Sequence, residues 1–208
     1  MYREIVHDIY DITCRDEPNG KRYRAFLFTG GKPTLFDCGL PDTTNVLIDA
    51  IESIGIPPER LVITHGDGDH IGGFDGIVEE YGVETWVPDL LDPNTNHTPD
   101  NQYSDGDQIG RFVAVHTPGH EQEQHSFIDQ KRKIAILGDA LSGADQRGFE
   151  SGRFHLPPAV YSEDLLQAEK SLERLLDFEF EVGLVYHGSS VTKRASKKIE
   201  RYVNFPGK

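Results

Sequence analysis

The sequence predicts an α/β protein. Short apolar runs of strand length recur along the chain, helical periodicity alternates with them from about position 43 onward, and glycine or proline marks many of the joins. In chain order, Val6 to Thr13, Tyr23 to Thr29 and Thr34 to Cys38 read as strands, the last two joined by a Gly30-Gly31-Lys32-Pro33 turn. Asp42 and Thr43 offer N-caps to a helix whose apolar positions are Val46, Leu47, Ala50, Ile51 and Ile54, with Gly55 as its stop. Leu61-Val62-Ile63 reads as a buried strand, and Gly72 to Tyr81 as a helix stopped by Gly82. Val83 to Val87, Phe112 to Val115, Ser126 to Asp129 and Lys133 to Leu137 add strands. Ser162 is the expected cap of an amphipathic helix with the stripe Leu165, Ala168, Leu172, Leu175 and Leu176. Val182 to Tyr186 reads as a last strand, before a polar helix from Thr192 to about Tyr202.

The 208 residues suit one domain spanning 1–208, with enough chain to bury a core without a disulfide or structural metal. Lys and Arg number 21 against 35 Asp and Glu, a formal net charge of −14. Such a charge repels phosphate backbones, and the basic patches at Lys131-Arg132-Lys133 and Lys193 to Lys198 are short, so no nucleic-acid partner is expected. No apolar run approaches a membrane span, and Met1 to Asp8 lacks the apolar core of a signal peptide. Two cysteines, Cys14 and Cys38, make no disulfide framework; free, partly buried thiols in a reducing cytoplasm are the expectation. The acidity fits either a salt-rich cytoplasm or an ordinary acidic surface.

One segment carries most of the chemistry. After Leu61-Val62-Ile63 comes Thr64-His65-Gly66-Asp67-Gly68-Asp69-His70-Ile71-Gly72-Gly73, with two imidazoles and two carboxylates in six positions. In extended chain, residues i and i+2 point the same way, so His65 and Asp67 can grip one ion. A turn at Asp69-His70 lets these side chains diverge toward a second, while Gly66 and Gly68 are expected to permit unusual backbone angles and close approach. Imidazole with carboxylate suits Zn²⁺, Mn²⁺ or Fe²⁺.

The segment resembles the His-x-His-x-Asp-His signature of the metallo-β-lactamase superfamily. The resemblance continues in order through Leu35-Phe36-Asp37-Cys38-Gly39, Thr117-Pro118-Gly119-His120, Gly138-Asp139 and Tyr186-His187-Gly188. It implies a four-layer αββα sandwich and two divalent metal ions. By the resemblance, His65, Asp67 and His120 would hold the first ion, and Asp69, His70 and His187 the second. Asp139 would bridge them, and Asp37 would orient a ligand from behind. Water bound by the metals, its pKa lowered from 15.7 toward ~7, would be the nucleophile, with Asp69 and Asp139 the carboxylates acting in catalysis.

Two departures from the family pattern matter. Asp67 stands where most members carry histidine. Two divalent ions bring +4, and Asp67, Asp69, Asp139 and a hydroxide bring −4, a neutral site expected to favour Mn²⁺ or Fe²⁺ relative to Zn²⁺ and to make the bound water less acidic. After His120, the polar stretch Glu121-Gln122-Glu123-Gln124-His125-Ser126 replaces a shorter one, which makes His125 an alternative ligand. His116 reads as structural, and His7, His97 and His155 lack supporting neighbours as metal ligands. The aperiodic stretch from Leu141 to Tyr161 leaves the expected site at Asp139; Arg147, Arg153, Phe154, His155 and Tyr161 are its candidate substrate wall, against the alternative of an ordinary surface loop.

The helix ahead of Tyr186-His187-Gly188 is similar to the small glyoxalase II-like branch, which implies hydrolysis of a small thioester, ester or lactone. Only 21 residues follow His187, too few for the helical thiol-binding domain of larger glyoxalase II enzymes. The quorum lactonases carry tyrosine three positions after the bridging aspartate, where this chain has Ser142. The competing readings are a mononuclear-iron sulfur oxygenase of the same fold and a non-catalytic binding domain that kept it. A small-molecule substrate is the expected partner, and a homodimer is compatible with the sequence.

Overall fold

Short apolar runs from Ile9 onward make a sheet of the first part of the chain. In the computed structural model, which describes residues 1–17 and 21–205, the chain divides into two units, Met1–Tyr103 and Ser104–Lys208. The first holds β1 (Tyr2–Val6), β2 (Ile9–Asp16), β3 (Arg22–Phe28), β4 (Thr34–Phe36), α1 (Thr44–Ile54), β5 (Arg60–Val62), α2 (Gly68–Ile71), α3 (Phe74–Tyr81), β6 (Glu84–Pro88) and β7 (Asn101–Tyr103). Its seven strands pair in sequence order. The pairs from β1 to β4 are antiparallel, and those from β4 to β7 are parallel. Ile12, Leu27, Leu35, Leu61 and Ile63 form one apolar cluster with Leu47, Ala50 and Ile51 of α1 and Phe74 and Ile77 of α3. Each such side chain contributes about 1.5–3 kcal/mol on burial. Phe26, Phe28 and Phe36 are buried as well, so these strands read as apolar runs without clean alternation.

The second unit holds β8 (Gln108–Ile109), β9 (Phe112–His116), β10 (His125–Asp129), β11 (Ile134–Ile136), β12 (Ser142–Gly143), β13 (Phe154–His155), α4 (Leu165–Ser171), β14 (Val182–Leu184) and α5 (Ala195–Val203). Five strands pair in the order β14-β11-β10-β9-β8, with β14 parallel to β11, and β12 and β13 form a small ladder of their own. Val115, Ile128, Ala135, Leu137 and Val185 pack with Leu172, Leu175 and Ile199. The α/β class expected from the sequence is what the structure has. Among the described residues no helix is long and apolar enough to cross a membrane.

Several local expectations are corrected. Val6 to Thr13 is not one strand: the chain turns at Asp8, whose φ is 63°, and makes the β1–β2 hairpin. The helix expected from Gly72 to Tyr81 is α3, which starts at Phe74 and ends at Gly82 as expected, and the one-turn α2 before it was not anticipated. Asp164, not Ser162, caps α4, its carboxylate accepting from the N–H groups of Leu166 and Gln167. The chain then tightens into a 3₁₀ helix over Leu172–Asp177. Three residues per turn keep Leu172 and Leu175 inside and leave Leu176 exposed. The helix expected from Thr192 begins after Arg194, at φ 53°. Cys14 and Cys38 are free, as expected, but both are buried, and burial pushes the Cys14 thiol up to about 12.

Candidate metal centre

The donors are presented from strand ends, and in the first unit sheet register sets the frame. β4 and β5 run parallel with Phe36 beside Val62, so the residues leaving both strands emerge together. Asp37 donates its N–H to Val62 O at 2.9 Å and has φ 58°, which turns the chain sharply at the strand end. Its buried carboxylate organises the segment that leaves β5. Oδ1 accepts from Thr64 N at 2.7 Å, and Oδ2 accepts from Thr64 Oγ1 at 2.8 Å and from His70 Nδ1 at 2.8 Å.

These bonds fix both imidazoles. A carboxylate only accepts, so His70 carries its proton on Nδ1. The Thr64 hydroxyl proton points to Asp37, so Thr64 Oγ1 accepts from His65 Nδ1 at 2.9 Å. Both rings then hold their lone pairs on Nε2. His65 Nε2 lies 3.7 Å from Asp67 Oδ2, and His70 Nε2 lies 3.8 Å from Asp69 Oδ2. Two ligands sharing an ion at ~2.1 Å sit roughly 3–3.6 Å apart, so each imidazole–carboxylate pair is spaced close to that of partners on one cation. His65 and His70 are buried, while Asp67 and Asp69 are partly open.

The glycine requirement lies elsewhere than expected. Gly68 sits in the helical backbone of α2, and a Cβ there would meet nothing within 4 Å. Gly72 and Gly73 are the constrained pair: a Cβ on Gly72 would lie 2.4 Å from Pro41 Cδ, and one on Gly73 2.4 Å from Cys38 O. This close approach, with Cys38 N donating to His70 O at 2.7 Å, fastens the 65–70 segment to the turn after β4.

In the second unit, β11 and β14 run parallel with Ile136 beside Leu184. Asp139 and His187 each stand three residues beyond that pair, and Asp139 Oδ2 lies 3.1 Å from His187 Nε2. The same oxygen lies 3.6 Å from His120 Nε2. His120 follows β9 through Gly119, whose φ is 125° and whose place a Cβ would fill at 2.0 Å from Ala168 N. Two backbone bonds hold that turn against the start of α4, Glu163 N to His120 O at 3.0 Å and Asp164 N to Gly119 O at 2.9 Å. Ser162 Oγ lies 3.4 Å from His120 Nδ1, which leaves Nε2 facing the carboxylate. A buried carboxylate flanked by imidazoles demands positive charge, which an imidazolium or a cation supplies. The donor set in each unit, imidazole with carboxylate, fits a borderline divalent ion such as Zn²⁺, Mn²⁺ or Fe²⁺.

His125 is in β10 opposite His116 of β9, the two rings 4.8 Å apart, and its Nδ1 donates to Glu123 O. Arg147 and His155 meet at one acceptor, the Leu156 carbonyl. Burial holds the His155 imidazole below its ordinary pKa. Arg153 is exposed, 3.8 Å from Glu150, and Tyr161 is exposed in a 3₁₀ turn, Ala159–Tyr161. Phe154, expected in a substrate wall, belongs to the apolar core. Residues that sequence reasoning passed over are Thr64, which relays Asp37 to His65, and Gln124, whose buried amide accepts from Asp139 N at 3.2 Å. Neither carries a signal in the sequence: both are recognised by their burial in the structure.

Residues 24–188 match the family described as the Metallo-beta-lactamase superfamily. The chain belongs to that superfamily. Among curated relatives, an atrochrysone carboxyl ACP thioesterase of Passalora fulva is 27% identical over 86% of this chain and 49% of its own length. The hydroxyacylglutathione hydrolase GloC of Haemophilus influenzae is 27% identical over 76% of this chain and 82% of its own. The chain thus spans about half the length of the thioesterase. Among solved structures, a metallo-beta-lactamase from Pontibacter korlensis has a TM-score of 0.77 at 18% identity, covering 98% of this chain and 96% of that one, a likeness of fold.

Proposed function

We propose that the chain is a metallohydrolase acting on a small thioester, ester or lactone, with its two units working as one domain around two divalent ions. His65, Asp67 and His120 would hold one ion, Asp69, His70 and His187 the other, and Asp139 would be shared. The observation that carries this reading is Asp139 Oδ2, buried between His187 Nε2 at 3.1 Å and His120 Nε2 at 3.6 Å, as a bridging carboxylate would stand. Relatives named as thioesterase and hydroxyacylglutathione hydrolase favour the thioester among the three substrates.

When bound, the ions would supply Lewis acidity and a water acidic enough to attack a carbonyl near neutral pH. The chain supplies the rest. Asp37 and Thr64 hold His65 and His70 as Nδ1–H tautomers, so neither ring spends time in the wrong orientation. Asp69 and Asp139 would accept and orient the proton of the attacking water. Asp67 adds a negative charge that favours Mn²⁺ or Fe²⁺ over Zn²⁺. Arg147 and Tyr161 are the residues we place toward the substrate.

The test is elemental analysis of the purified chain beside hydrolysis of thioester, lactone and phosphodiester substrates, before and after chelation. Near two divalent ions per chain, with thioester hydrolysis lost on chelation and restored by metal, is the expected result. About one iron per chain with oxygen consumption, or hydrolysis indifferent to chelation, overturns the proposal.

A further inference from the structure

Gln124 stands in the loop before β10, fully buried, in the stretch where the sequence departs from the family pattern. Its side-chain amide is engaged on both sides. Oε1 accepts from Asp139 N at 3.2 Å, while Nε2 donates to His125 O at 2.8 Å and to Leu137 O at 3.1 Å. Turning the amide over would set its NH₂ against the Asp139 N–H and its oxygen against two carbonyls, so one orientation alone satisfies all three groups. Its main-chain oxygen accepts from Thr117 N at 2.9 Å, at the start of the turn that carries His120. Gly138, at φ 54°, passes so near that a Cβ would lie 2.3 Å from Gln124 Nε2. One buried residue thus bonds the turn presenting Asp139 through its side chain and the turn presenting His120 through its backbone.

We propose that Gln124 is a positioning residue that fixes the Asp139 carboxylate between His120 and His187. The amide clamps Leu137 O and Asp139 N at once, which sets the direction of the peptide units on either side of Gly138 and so the exit vector of the Asp139 side chain. Leu137 is held as well through its N–H to Leu184 O at 2.9 Å, whereas Gln124 supplies the side-chain acceptor of Asp139 N. The consequence for bound ions rests on the proposed dinuclear reading; the clamp itself does not.

The test compares Gln124→Met, which keeps the length of the side chain and removes its hydrogen bonds, with Ser126→Ala. Ser126 Oγ also donates to Leu137 O, at 3.1 Å, and is not bonded to Asp139 N, so it controls for simple loss of a buried bond. Gln124→Asn, which keeps the amide but withdraws it by one carbon, serves if the methionine chain fails to fold. Amide hydrogen exchange over residues 137–141 is measured on metal-free chains, and metal retention against a chelator on loaded ones. The expected result is exchange at least about tenfold faster than in Ser126→Ala, with metal affinity roughly 10–100-fold weaker, the usual effect of losing a ligand's hydrogen-bond partner. Exchange and affinity equal to those of Ser126→Ala overturn the proposal. A wild-type chain that retains no metal refutes the dinuclear reading, and the exchange comparison alone then decides the positioning.

Discussion

Four of the proposed ligands, His65, Asp67, Asp69 and His70, occupy six consecutive residues, whereas His120, Asp139 and His187 are scattered through the second unit. The first set is shaped by local means: a strand end, a one-turn helix and a single buried carboxylate that reaches Thr64 and His70. The second set is shaped by sheet register, which brings the ends of β11 and β14 level, and by a strained glycine that seats His120 against α4. A contiguous site tolerates change in the rest of the fold better than a dispersed one, which depends on every strand that delivers a member.

The largest expected effect that tests this contrast is at Asp139. Asp139→Ala should lower thioester hydrolysis by about a thousandfold or more and reduce the metal retained, because its carboxylate is common to both sides of the proposed centre. A variant with wild-type turnover would break the comparison at its central residue. Next come the glycines. Gly119→Ala forces a side chain into Ala168 N at φ 125° and should cost roughly 3 kcal/mol or more in urea unfolding. Gly68→Ala, in open helical surroundings, should change stability by less than about 0.5 kcal/mol. Equal costs would show that the contiguous segment is as constrained as the dispersed one. Smaller than the effects at Asp139 and Gly119 is that of Asp37→Asn. Its NH₂ would face the Thr64 hydroxyl and His70 Nδ1, forcing both donors to turn, and metal affinity should fall about tenfold or somewhat more with the fold retained. Affinity equal to wild type would mean that the tautomers are set by something other than Asp37.

The same contrast explains what the sequence revealed. His65 to His70 was legible because ligand spacing along one strand end is a local property, readable without knowing any partner strand. His120, Asp139 and His187 were reached only through family resemblance, since lone His-Gly or Gly-Asp pairs look like turns until β11 is known to lie beside β14. The α/β class and the buried Leu47, Ala50 and Ile51 of α1 followed from periodicity, though Val46, read on the same stripe, is exposed. The short β7 and β8 did not, because two or three residues are too few to show a period of two. The hairpin at Asp8 was missed because it needs a left-handed residue that is not glycine, and Asp164 was passed over as a cap because Ser162 stands two positions earlier. Gln124 was hidden for a different reason: a glutamine in a polar loop looks solvated until the loop is found to be folded inward.

The pairing of Ile136 with Leu184 acts as a caliper for the chemistry above it. Because the acid and the imidazole each project from an equal overhang, the exposed stretch 147–151 between the two strands can be lengthened or exchanged without altering the gap they span. Removing one residue from either overhang would swing its side chain to the far side of the sheet. Variation therefore has that exposed stretch to work with, and almost none of the six residues that finish the two strands.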